Sequence, residues 1–316
     1  MAGRRKEPKT DFAALPTEAD NPRSEFLDTL PADEVVKLLV DEEANAVKAV
    51  KACADRISKG AQLIADTLTK GGRMIYVGAG TSGRLGNLDA AECVPTFGVP
   101  PSLFEAIVAG GSRALVKAVE GAEDDTREAE QRMRRISTGP KDVVICIAAS
   151  GVTPFVRAAL EYAHSRKAAT IFITCGRTVT YDDGTPIADV VIELATGPEV
   201  ISGSTRLKAG TATKVTLNAL STTAFVLLGK TYGGLMVDVR PTNIKLWARA
   251  TRIVQRLTGL QEAEALALIK KAGGRAKVAL VMHHAHVNPV RAKELLVQHR
   301  GSLRAIVGDL QAQPRG

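Results

Sequence analysis

The chain has 316 residues, of which 45% are hydrophobic, 24% charged and 4% aromatic, and its formal net charge is +8. That length allows one large domain or two ordinary ones, and the composition excludes a disordered or fibrous chain. No apolar run reaches the roughly 18 residues a membrane span needs, and the basic start, Met1 to Lys9, has no apolar stretch behind it that would make a secretory signal.

In chain order, residues 1–16 read as a flexible basic tail. Residues 33–69 read as helix, with Val36, Leu39, Val40, Val47, Val50, Ile57, Leu63, Ile64 and Leu68 near the helical period. Asp33 is placed to cap its start, Gly60 to break it in two, and Gly71-Gly72 to end it. Short apolar runs then alternate with helical stretches. Strands are expected over 73–78, 102–108, 142–148, 168–174 and 189–194. Continuous apolar runs of this kind fit strands buried on both faces, which means a doubly wound α/β domain around a parallel sheet.

Beyond Thr205 the pattern turns helical, with one long amphipathic run bounded by Gly229 and Gly233-Gly234. Residues 242–308 read as shorter helices. One of them is expected to begin at Thr258 and end at Gly273-Gly274, while residues 276–285 fit helix or strand. The expected division is a tail (1–16), an α/β domain with N-terminal helices (17–244) and a small helical C-terminal domain (245–316).

Cys53, Cys93, Cys146 and Cys175 are widely spaced with no C-x-x-C, which suits reduced thiols in the cytoplasm. The charge is uneven. Residues 240–316 hold 14 Lys and Arg against 4 Asp and Glu, and the rest holds 28 against 30. A basic third without a recognisable nucleic-acid module reads as an ordinary solvated surface, so no nucleic-acid partner is expected. His283, His284 and His286 stand at i, i+1 and i+3, a spacing that does not put three imidazoles on one helix face, so no metal is expected.

Two hydroxyl-rich loops carry the chemistry. Gly78-Ala-Gly80-Thr81-Ser82-Gly83 leaves the first strand and opens a helix; Ala148-Ala-Ser150-Gly151-Val-Thr153-Pro154 does the same after the third. Helix N-termini offer free amides and a positive dipole end to an anion. With strand order 2-1-3-4-5, both loops flank the topological switch point where α/β sheets bind ligands. The first loop also fits G-x-G-x-x-G, a weak dinucleotide signal. Glu105, the acidic residue at the right distance for a ribose, lies inside the second strand. A phosphosugar, a dinucleotide and a structural glycine turn all remain open on the loops alone, with the phosphosugar favoured.

The segments GAGTSGRLGNLDAAEC, AVEGAEDD, IAASGVTPFV, SGSTRLKAGTATK and LMVDVRPTNIKL, taken together and in this order, resemble the N-acetylmuramic acid 6-phosphate etherases and the related glucokinase regulatory protein. The resemblance covers about residues 17–308. It implies a sugar isomerase (SIS) domain with a five-stranded parallel sheet, normally in a homodimer. It also implies a lyase of cell-wall amino-sugar recycling, which cleaves a lactyl ether by elimination and hydration without a cofactor. By resemblance Glu92 protonates the departing lactate and Glu123 is the second acid–base group. Gly80, Thr81, Ser82, Gly83, Ser150, Gly151, Thr153, Ser204 and Lys208 then bind the phosphorylated amino sugar. A phosphosugar-sensing regulator and an aldose–ketose isomerase are the alternatives. The first would need a second SIS domain; the second also needs a base at C2.

Overall fold

The computed structural model describes residues 15–176, 180–181 and 185–310. Most of the expected N-terminal tail, residues 1–14, lies outside them. Helices α1 (Ala32–Ala52) and α2 (Ala54–Thr69) lead into a sheet of five parallel strands. These are β1 (Met74–Gly78), β2 (Phe104–Val108), β3 (Val143–Ile147), β4 (Ala169–Thr174) and β5 (Val190–Glu193), in the order β2-β1-β3-β4-β5. The expected strands and order are those observed. Register pairs Gly78 with Val108 on one side and with Ile147 on the other, so the loops after β1 and β3 leave the same edge side by side.

Between the strands lie α3 (Gly80–Phe97), α4 (Thr126–Arg135) and α5 (Pro154–Ser165), and α6 (Lys208–Leu227) follows β5. Every residue of β1 and β3 is buried, because both sheet faces are covered. Ile75, Val77, Val144, Cys146 and Phe172 share a core with Ala129 and Met133 of α4 and with Phe155, Ala159 and Leu160 of α5. Strand residues alternate between faces. Tyr76 and Ile147 therefore meet α3 at Gly86, and Ile171 meets α2 at Gly60.

Two helix boundaries here differ from expectation. The break between α1 and α2 falls at Cys53, whose thiol donates to the Glu193 carbonyl at 3.0 Å. Gly60 is inside α2, where a Cβ would come within 2.7 Å of Leu220 Cδ2; it is there for close packing, not to break a helix. Asp33 makes no cap, since Pro31 stands at the N-cap of α1.

The described chain divides into two compact units. One comprises residues up to Ala90 together with Ser102–Ser221; the other comprises Ala91–Pro101 with the residues from Thr222 onward. The second unit thus begins earlier than residue 245, and it includes the end of α3. It contains α7 (Ile244–Thr258), α8 (Glu262–Lys271), α9 (Ala276–His284), α10 (Pro289–Gln298) and α11 (Leu303–Val307). Its core gathers Val254, Leu257, Ile269, Leu280 and Leu296. Thr258 ends α7 instead of starting α8. The start of α8 is a capping box between Gln261 and Glu264. Residues 276–284, ambiguous in sequence, are helix.

Candidate functional site

The loop after β1 is built from glycines with different tasks. A Cβ on Gly83 would meet the Gly78 carbonyl oxygen at 2.6 Å, and one on Gly78 would meet the Gly83 nitrogen at 2.6 Å. Strand and helix therefore touch backbone to backbone. Gly80 has φ +50° with open space around it, so the turn itself and not crowding selects glycine there. The result is an α3 N-terminus at the carboxyl edge of the central strand, with Thr81 and Ser82 half-buried in its first turn.

The loop after β3 is fixed differently. Gly151 takes φ +83°, and the Val152 amide donates to Ser150 Oγ at 3.4 Å. Gly176, after β4, would clash with the Ser150 carbonyl at 2.3 Å if it carried a Cβ, so the neighbouring strand's exit presses against this loop. Thr153 is the N-cap of α5 but makes no capping bond, which leaves its hydroxyl and the leading amides of α5 available to a ligand.

A third segment joins the first. A Cβ on Gly210, in the first turn of α6, would come within 3.6 Å of Thr81 Cγ2. Ser202 Oγ donates to Asp20 Oδ1 at 3.1 Å, and Ser204 is half-buried. Lys208 does not project toward the loops. Its ammonium is 2.5 Å from Glu42 Oε2 and the side chain is 2% exposed. Asn21 and Arg23 bond the same carboxylate at 3.0 and 2.8 Å. Burial pushes the Glu42 pKa up, but the bonds from Lys208, Asn21 and Arg23 outweigh it and hold the carboxyl below its ordinary value. Glu199 accepts from the Lys208 and Ala209 amides at 3.0 and 2.9 Å and so caps α6, while burial raises its pKa. Both carboxylates hold the Lys208 end of the Ser202–Lys208 stretch, while Ser202 at the other end is held by Asp20.

Glu123 lies in a short 3₁₀ turn, Ala122–Asp124, ahead of α4, whose N-cap Asp125 accepts from the Glu128 amide at 2.8 Å. A cavity of about 180 Å³ brings the side of this turn to the first loop; Gly80, Arg84, Glu120, Gly121 and Glu123 line it. Arg84 donates to the Lys117 carbonyl at 3.3 Å, which ties the two walls together.

Glu92 is exposed on α3, three residues past Asp89. Asp89 is a buried acid that the sequence reading did not single out. It is 4% exposed and accepts from Tyr76 Oη at 2.7 Å, Asn218 Nδ2 at 2.7 Å and Ser221 Oγ at 3.2 Å. This pins the Asp89 turn of α3 to β1 and to α6. The available signal was an acid in the middle of an otherwise apolar helix turn, Leu-Asp-Ala-Ala. In the second unit, His284 Nε2 lies 2.9 Å from the Leu257 carbonyl and joins α9 to the end of α7.

The chain matches three family models. They are the glucokinase regulatory protein N-terminal SIS domain over residues 56–164, the SIS domain over 124–223, and the C-terminal lid domain of glucokinase regulatory protein over 233–288. Fold and loops together define a SIS-domain protein. The chain is 47% identical to the N-acetylmuramic acid 6-phosphate etherase of Gloeothece citriformis, over 92% of this chain and 94% of that one. It is 43% identical to the etherase of Rhodopirellula baltica, over 93% and 96%, and 47% identical to that of Trichormus variabilis, over 95% and 96%. The chain belongs to the N-acetylmuramic acid 6-phosphate etherase family. Of the readings left open by the sequence, the etherase is favoured over the regulator and the isomerase.

Proposed function

We propose that this chain cleaves the lactyl ether of N-acetylmuramic acid 6-phosphate, yielding N-acetylglucosamine 6-phosphate and D-lactate. The observation that carries the reading is the cavity joining Gly80 and Arg84 of the first loop to Glu120 and Glu123. Glu120 and Glu123 line it beside the N-terminus of α3, a position that favours an anion. The phosphate is held by the amides and hydroxyls of Gly80, Thr81, Ser82 and Gly83, with Ser150, Gly151, Thr153 and Ser204 completing the contacts. Lys208 contributes by holding the Ser204 segment through Glu42.

In the open-chain sugar the C1 carbonyl acidifies the C2 proton. A base removes it, the C2–C3 double bond forms as the C3–O bond breaks, and lactate leaves with a proton from Glu92. Water then adds across the double bond with Glu123 as the second acid–base group, restoring the 3-hydroxyl. Both steps are proton transfers to or from carbon and oxygen, which carboxylates can perform as general acid and base. No electron acceptor is required. The setting is amino-sugar recycling in the cytoplasm, where the free thiols of Cys53, Cys93, Cys146 and Cys175 remain reduced.

The working form is a homodimer. Val36, Val40 and Val47 are 59%, 65% and 56% exposed at helical spacing on α1, an apolar stripe that a second copy would cover. Val40→Glu should shift a dimer to monomer in light scattering; a wild-type monomer would overturn this assignment.

Turnover is tested by incubating the protein with N-acetylmuramic acid 6-phosphate and following D-lactate. Release is expected, and its absence with folded protein and verified substrate would sink the etherase reading. Glu92→Ala and Glu123→Gln should each lower release by about 100-fold or more, the scale of one lost proton-transfer group, with phosphosugar binding retained. Full activity in either variant would remove that residue from its role.

A further inference from the structure

The second unit contains a cavity of about 560 Å³ lined by Arg240, Trp247, Lys270, Gly273, Gly274 and Arg275, with Pro241 at its edge. These residues come from four parts of the chain: the segment before α7, the first turn of α7, the last turn of α8, and the turn into α9. Gly273 and Gly274 adopt φ +68° and +75°, which lets the α8–α9 connection turn tightly without side chains. An added Cβ on Gly274 would stand 3.9 Å from Trp247 Cη2, so the indole runs along the bare glycine turn. Arg275 is the N-cap of α9 and provides no side-chain cap, so the positive end of that helix adds to the local field.

The lining holds three cations and no carboxylate. Among the described residues, Arg240, Lys270 and Arg275 form no ion pair, whereas the neighbouring Lys277 and Lys230 both reach Asp238. Three like charges gathered at one cavity repel each other, and a bound anion would offset that repulsion. Two guanidinium forks suit the paired oxygens of phosphate groups. The half-buried indole offers a flat face to a ring. The volume lies within the usual range for small-molecule sites.

We propose that this pocket binds a phosphorylated ligand bearing a planar ring, of the nucleotide class, with its phosphates on Arg240, Lys270 and Arg275 and its ring on Trp247. The site lies wholly in the second unit and uses none of the residues assigned to ether cleavage. It therefore stands or falls separately from the catalytic reading.

Trp247 is the single tryptophan of the chain, so its emission reports the pocket directly. ADP is the probe, titrated into the full-length protein with emission and calorimetry in parallel, beside pyrophosphate and adenosine. Saturable binding of ADP with a change in Trp247 emission is expected, with pyrophosphate weaker and adenosine weaker still. Arg240→Ala and Arg275→Ala should each weaken ADP by about tenfold, the effect of one lost charge-assisted hydrogen bond, while circular dichroism and lactate release stay at wild-type level. Trp247→Ala, followed by calorimetry, should weaken ADP but not pyrophosphate. The proposal is overturned if millimolar ADP gives no saturable binding, if the arginine variants bind ADP like wild type, or if pyrophosphate binds as tightly as ADP.

Discussion

Lys208 shows how much a single side chain's surroundings decide. In sequence it follows two serines and an arginine at a helix start, a fair position for gripping an anion. In the fold the ammonium is enclosed with Glu42, 166 positions away in the chain. No local pattern announces a partner at that distance. Removing one member of a buried pair strands the other, at a cost of about 3–5 kcal/mol. Lys208→Ala should therefore lower the urea midpoint strongly, and a near-unchanged midpoint would contradict the structural role. Glu42 adds a pH signature. Its folded-state pKa lies below the unfolded value near 4.5, so its contribution is complete above that value and disappears as the pH falls through the folded one. The stability gap between wild type and Glu42→Gln should be constant near neutrality and shrink below about pH 4.5, as measured by urea melts across acid pH. A gap that widened in acid would contradict the lowered pKa.

Among the elements, the strands were the most readable. Their runs are apolar because helices cover both faces, and burial of all five residues of β1 and of β3 agrees with that logic. Helix ends were less readable because their caps depend on partners. Gln261 works as a cap only with Glu264, and the α1–α2 break rests on a thiol reaching the carbonyl of Glu193. Glycine was ambiguous for the same reason, since one residue type serves turns and close contacts alike. The three cases separate by mutation. Gly83→Ala forces a Cβ against the immobile Gly78 carbonyl and should cost about 1–3 kcal/mol with loss of phosphosugar binding. Gly80→Ala meets no atom and should cost about 1 kcal/mol through its left-handed backbone. Gly60→Ala clashes with the tip of Leu220 alone, Ile171 and Val190 being at ordinary contact distance, and the gain of about 1 kcal/mol in helix propensity should leave it near neutral. Equal losses at all three positions, by thermal or urea denaturation, would refute this ordering. The two glutamates proposed as the acid–base groups stood out only through their flanking motifs. Glu92 and Glu123 are both exposed acids on ordinary-looking helical turns, and nothing in their spacing separates them from solvated charges.

At the level of the whole molecule, each unit has its own core, and one buried cation organises the second. Lys277 donates to the Gly229 carbonyl at 2.6 Å and to Asp238 at 2.8 Å, which ties α9 to the segment after α6. Lys277→Ala should make the described part of the second unit, from Thr222 on, the first to be cut in limited proteolysis, while Ser102–Ser221 remains protected; cleavage within the sheet at the same rate would argue against separate cores. The division of the chain also sets an order of events during synthesis. The end of α3 belongs to the second unit, where Phe97 stacks on Phe225 with ring centroids 4.5 Å apart. Translation delivers Phe97 long before Phe225, with four of the five strands made in between. A nascent chain stalled after Ser221 could complete the sheet yet would still carry an unmatched aromatic side chain at the end of α3. Chaperones that recognise exposed apolar surface would find it there, and only the last third of the message removes it.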